Sequence, residues 1–223
     1  MYRYNDQFQL YRGFTVTGKN VVDAVTHTNN LLATLPKNVF TNIDYKTTSA
    51  IIGGFFCNEL ANLCSGAIVN PIEKGHPDII PASGANASEA DLRNFHTGLE
   101  IKCTIGNITQ GQNLRAGSTR VNVLENIVWQ AHHRDVTELM GLVWDFYTPT
   151  SDFNYPVITG VFYSDGLIED DWGAISGTTG RNTKVSGMKA SGKFKMGSGW
   201  IVLLDTPDFF NKYQKILKFP QVD

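Results

Sequence analysis

The sequence predicts a mixed α/β fold with a central mixed β-sheet flanked by helices. Three observations point to it. Apolar residues recur at helical spacing early in the chain, short β-branched segments punctuated by Gly and Pro follow, and two dense apolar runs, 140–147 and 157–163, have the texture of central strands. With 223 residues, 42% of them apolar, the chain suits one large domain over 1–223, since domains run to about 100–200 residues. No internal repeat or linker divides it.

The first helix is expected over Lys19 to Leu35, where Val21, Val25, Thr28 and Leu32 share a face and Pro36 is the stop. A second runs from about Thr48 to Leu63, with Ile52, Phe56, Leu60 and Leu63 on one stripe and Gly66 beyond its end; Gly53 and Gly54 are unfavourable within it. Gly66 to Pro71, Asp78 to Pro81 and Leu99 to Ile105 then predict three short strands, the polar stretch Ser83 to Asp91 forming a loop between the last two. Gly106 to Arg120 is a polar connection long enough to reach a ligand. A helix is expected over Asn122 to His133, where Leu124, Ile127, Val128 and Ala131 fall together and His132, His133 and Arg134 suit the negative helix end. After the strands at Met140 to Tyr147 and Val157 to Tyr163, the segment Gly180 to Gly199 turns to Gly, Ser and Lys with no acidic residue. Ile201 to Leu204 predicts a last strand, and Pro207 to Leu217 a final amphipathic helix opened by Asp205 or Thr206.

Charge and cysteine usage exclude several classes. Nineteen Lys+Arg against 21 Asp+Glu give a net charge of −2, which rules out a wholly basic nucleic-acid coat and leaves room for charges segregated onto separate surfaces. No apolar run approaches the roughly 18 residues of a membrane span, and the opening MYRYNDQFQLYRG lacks the pattern of a secretory signal. Three cysteines, Cys57, Cys64 and Cys103, without CxxC spacing argue against a disulfide framework or a structural zinc site, so a reducing cytoplasm is the expected location. The adjacent His132 and His133 diverge on a helix, unlike a zinc pair, and no glycine cluster has the form of a nucleotide-binding loop.

The chemistry concentrates in GLEIKCT, residues 98–104. Glu100 and Lys102 are two apart on a strand and share a face, while Leu99, Ile101 and Cys103 point the other way. An exposed edge strand with an ion pair is one account of this. The other draws on Asp78, in His76-Pro77-Asp78 at the start of the preceding strand: if the two strands are antiparallel neighbours, Asp78, Glu100 and Lys102 converge at one end of the sheet. Two carboxylates are what Mg²⁺ requires, since it keeps several waters and takes few protein ligands.

On these residues the chain resembles the PD-(D/E)XK nuclease superfamily, with Pro77-Asp78 as the PD and Glu100-Ile101-Lys102 as the (D/E)XK. The order of expected elements over about 48–148 (helix, three strands, helix, strand) is similar to that superfamily's core. Within it the chain looks like a type II restriction endonuclease. The resemblance implies a restriction-endonuclease-like core, Mg²⁺ held by Asp78, Glu100 and the Ile101 carbonyl, a water positioned by Lys102, and cleavage of double-stranded DNA to 5′-phosphate and 3′-hydroxyl ends. Asp91 is an alternative first carboxylate. Glu59 matches an extra acidic position of some such nucleases or is a solvated helix residue. A homodimer and a protective DNA methyltransferase are the implied partners. DNA contacts are expected from 106–120 (Arg115, Arg120) and 180–199 (Arg181, Lys184, Lys189, Lys193, Lys195), or the second stretch is a solvated hairpin. The rival functions are a structure-specific repair or junction-resolving nuclease and a non-catalytic DNA-binding module.

Overall fold

The computed structural model describes residues 1–108, 116–132, 134–176 and 185–219, and opens with β1 (Tyr2–Tyr4) and a hairpin, β2 (Gln9–Tyr11) and β3 (Thr15–Thr17). Thr17 accepts the Asn20 N–H and so caps α1 (Gly18–Thr34), which buries Val21, Val25, Thr28 and Leu32 as its spacing predicts. A short α2 (Lys37–Asn42) precedes α3 (Tyr45–Leu63). That helix begins at Tyr45 rather than Thr48 because Asp44 caps it, accepting the Thr47 N–H at 2.7 Å.

Next come β4 (Ala67–Val69) and β5 (Ile79–Pro81), an antiparallel pair, then α4 (Glu89–Leu92) and β6 (Ile101–Thr104). The crossover that follows carries β7 (Asn107–Ile108), β8 (Leu124–Asn126) and β9 (Gln130–Ala131). The long strands β10 (Leu139–Phe146) and β11 (Pro156–Ser164) lead to β12 (Ser186–Gly187), α5 (Ala190–Ser198), β13 (Trp200–Leu204) and α6 (Pro207–Leu217).

The central sheet has five strands in the order β1-β13-β11-β10-β6. It is mixed: β6 runs parallel to β10, and every other pair is antiparallel. Helices α1 and α3 pack on one face, α5 and α6 on the other. Every residue of β10 is buried, as a strand covered on both sides requires. Its Leu142, Trp144 and Phe146 enter the core beneath α1 and α3, and Leu139 and Val143 the opposite one. The buried indoles keep hydrogen-bond partners: Trp144 donates to Ser49 Oγ at 2.8 Å and Trp129 to the Leu142 carbonyl at 3.2 Å. Among the described residues no helix is long and apolar enough to cross a membrane.

Two expectations are corrected. No α-helix covers Asn122 to His133 among the described residues; the segment forms a 3₁₀ turn at Val121–Val123, then β8 and β9. Ile127, Trp129 and Ala131 are buried in strict alternation, and the β-branched Val121, Val123 and Val128 favour extended backbone. His133 itself lies outside the described residues. The basic stretch is not a hairpin throughout, because 190–198 form α5, a helix seated by Gly192, Met196 and Gly197 against the sheet and α6. Gly197 is needed there, since a Cβ would meet the Leu217 carbonyl oxygen at 2.5 Å.

Asp145 on β10 sets a pH dependence. Its carboxylate accepts backbone N–H groups from Arg120 (2.9 Å) and Phe146 (2.7 Å), but desolvation outweighs these donors and pushes its pKa up to about 7. The native state therefore retains a proton that the unfolded chain releases near pH 4, so this group's contribution is complete at lower pH and is lost as pH rises through 7. Relative to Asp145→Asn, the wild-type chain is expected to lose about 1 kcal/mol of stability per pH unit between about pH 4.5 and 6.5 in urea unfolding. A pH-independent difference would contradict the shift.

Candidate active site

One crossing brings the candidate residues together. Ile79 and Leu99 form an antiparallel bridge, with N–H to carbonyl distances of 3.1 and 2.8 Å, that joins the small β4–β5 sheet to the start of β6. One step outward along each strand, Asp78 faces Glu100, and opposed residues on antiparallel strands lie on one face. The Asp78 Oδ2 accepts the Ile101 N–H at 2.7 Å, and the Lys102 ammonium donates to Glu100. The bridge depends on Gly98, whose φ of 151° and close approach leave no space for a side chain: a Cβ would meet the Ile79 carbonyl oxygen at 2.3 Å.

Burial of two like charges divides the pair. Desolvation, reinforced by Glu100, raises the Asp78 pKa to about 6. Glu100 is desolvated too, but the His76 hydrogen bond and the Lys102 charge outweigh that and hold its carboxyl below the ordinary value. Burial works against the Lys102 ammonium, yet Glu100 and Asp78 more than compensate, so the charged form is favoured. His76, with Nδ1 3.4 Å from Glu100 Oε2, is raised by that contact.

The cluster stands on a ridge between two grooves. Glu100 and Lys102 line one of about 540 Å³, beside Arg12, His96 and Glu138; Asp78 lines another of about 480 Å³, walled by α3; His76 borders both. Two carboxylates and the Ile101 carbonyl are the oxygen donors present. Among the described residues no three of His, Cys, Asp and Glu gather into a metal shell, so a cation here would complete its coordination with water.

The other candidates are placed elsewhere. Asp91 is exposed on α4 and accepts the Ser88 hydroxyl at 2.7 Å, a local cap contact. Glu59 projects from the opposite side of α3 to Cys57, two residues being about 200° apart on a helix, and meets His27 of α1 at 3.2 Å. Arg120, expected to meet DNA, is 5% exposed and stacks over Tyr45, 5.0 Å from the ring centroid. Lys195 pairs with buried Asp171 at 2.6 Å, and Lys193 donates to Asn126 at 2.9 Å, so both ammonium groups have partners within the chain. Lys189 is exposed just before α5. Arg115, Arg181 and Lys184 lie outside the described residues.

Sequence reasoning passed over His76, although it adjoins Pro77-Asp78, because only the folded loop sets it against Glu100. It also passed over one face of α3. Lys46, Ser49, Ala50, Gly53 and Cys57 recur at helical spacing and wall the Asp78 groove, a signal present in the periodicity. Comparison of the chain with protein-family models, with curated proteins and with solved structures gives no match.

Two outcomes follow from this geometry. Gly98→Ala forces either the bridge or the Ile79 carbonyl to move, and is expected to lower stability by about 1–3 kcal/mol in thermal melts; an unchanged melting temperature would show that the crossing tolerates a side chain. Asp78→Asn keeps an acceptor for the Ile101 N–H while removing a desolvated charge. In metal-free buffer at about pH 8 it is expected to be more stable than wild type by about 1–2 kcal/mol, the gain fading below about pH 6 where the native Asp78 is already protonated. A loss of stability at pH 8 would show that the ionised carboxylate contributes net stability.

Proposed function

We propose that the chain is a Mg²⁺-dependent, sequence-specific endonuclease acting on double-stranded DNA, a type II restriction enzyme. The observation that carries this reading is the gathering of Asp78, Glu100 and Lys102 at the Ile79–Leu99 crossing, two desolvated carboxylates and an ammonium beside open grooves. Such a constellation is unfavourable for the fold alone, because desolvated like charges repel, and suits a site that receives a cation. The implied order of elements is met in part: a helix and three short strands precede β10, but β4–β5 form a sheet of their own and the crossover from β6 to β10 is built from short strands instead of a helix.

The donor set fits Mg²⁺: Asp78, Glu100 and the Ile101 carbonyl are hard oxygen ligands that leave room for water and a phosphate oxygen. Bound there, the ion supplies stabilisation of the charge that develops on the phosphate oxygens and lowers the pKa of a water. Lys102, held as an ammonium by Glu100 and Asp78, orients the attacking water and offsets negative charge in the transition state. His76 fixes one Glu100 oxygen and keeps that carboxylate ionised. Attack at phosphorus leaves a 5′-phosphate and a 3′-hydroxyl. Exposed Lys189 is the remaining described candidate for a phosphate contact from the basic stretch, and a homodimer with a protective methyltransferase completes the proposal.

Incubation with a long phage DNA and Mg²⁺ is expected to yield discrete fragments. A smear or structure-dependent nicking would favour a repair nuclease, and intact DNA with a gel shift a binding module. Glu100→Gln and Lys102→Ala are each expected to reduce cleavage at least about 10³-fold while DNA binding persists. Retained cutting by either variant would refute the assignment.

A further inference from the structure

The groove on the Asp78 side has features that the acid cluster does not explain. Its volume is about 480 Å³, and one wall is a single face of α3. Gly53 and Gly54 lie in the middle of that face, where glycine is less favourable than alanine, and a Cβ at either would find nothing within 4 Å. Packing among the described residues therefore gives no reason for the missing side chains. Lys46 borders the groove from the first turn of α3 and Lys74 from the facing loop, both exposed. The groove thus has a positive rim on two sides, a smooth backbone wall, and Asp78 at the point where it meets the acid cluster.

Resting on the reading of the chain as a nuclease, we infer that this groove seats the phosphodiester backbone of the strand being cut, with Lys46 and Lys74 gripping phosphates on either side and the bare backbone of Gly53 and Gly54 admitting the strand close to α3. The two exposed ammonium groups on its rim suit a nucleic-acid strand as the occupant. A groove rimmed by exposed ammonium groups is matched by a polyanion, and a strand lying in it runs directly to Asp78. The glycines act here as clearance, and the lysines carry the attraction.

The test measures binding of a fluorescein-labelled DNA duplex by anisotropy, without divalent metal and over a range of salt, alongside cleavage of phage DNA with Mg²⁺. Gly53→Gln combined with Gly54→Gln introduces good helix formers into open space, so it is expected to melt at or above the wild-type temperature and yet to bind the duplex about tenfold more weakly. Lys46→Ala combined with Lys74→Ala is expected to reduce the slope of log K against log salt by about 0.9 for each phosphate that the variant no longer neutralises. Should the glutamine variant melt lower, the lysine pair decides alone. If the wild type cleaves and both variants bind with unchanged affinity and salt slope, the groove is not the strand's seat and the nuclease reading stands without it. A wild-type chain that neither binds nor cleaves DNA overturns the inference together with that reading.

Discussion

A pair of backbone hydrogen bonds, Ile79 to Leu99 and back, decides what the rest of the molecule can be. It is the backbone link between the β4–β5 hairpin and the strand that enters the five-stranded sheet. With it, Asp78 is fixed opposite Glu100, and its carboxylate accepts the N–H that begins β6. The crossing needs a residue without a side chain at Gly98, and β6 needs the parallel support of β10, whose Met140 N–H donates to the Glu100 carbonyl at 2.9 Å. The acid cluster thus stands on backbone geometry, which fixes side chains more tightly than a loop can.

The arrangement costs stability. Two partly buried carboxylates at a sheet edge are costly, and the pair relieves the cost unevenly: Glu100 is stabilised by His76 and Lys102, and Asp78 is left with a raised pKa. Buried Asp171, by contrast, is paired with Lys195. Asp78 differs because its strongest neighbour is another acid, the condition that a bound cation relieves.

Much of this was legible in the sequence, and the failures have physical causes. The last helix runs from Pro207 to Leu217 as expected, because proline marks the first turn whatever the tertiary context. The alternation in GLEIKCT correctly placed Glu100 and Lys102 on one side of β6, since strand period is a local property. The choice between Asp78 and Asp91 as neighbour of Glu100 was not local. It depends on which strand crosses Leu99, a pairing that no spacing encodes. Leu124, Ile127, Val128 and Ala131 satisfied a helical period, but that period left out Trp129, the largest apolar residue of the segment and fully buried. For the basic stretch, expected to contact DNA or to form a solvated hairpin, the sequence could not show that Lys193 and Lys195 have partners within the chain, because Asn126 and Asp171 come from distant parts of it.

Calorimetric titration of the chain with MnCl₂ in the absence of DNA tests most directly whether Asp78 and Glu100 act as one cation site. Binding at a single site is predicted, lost in Asp78→Asn and in Glu100→Gln and preserved in Asp91→Asn and Glu59→Gln. Equal Mn²⁺ binding by all four variants and the wild type would contradict it.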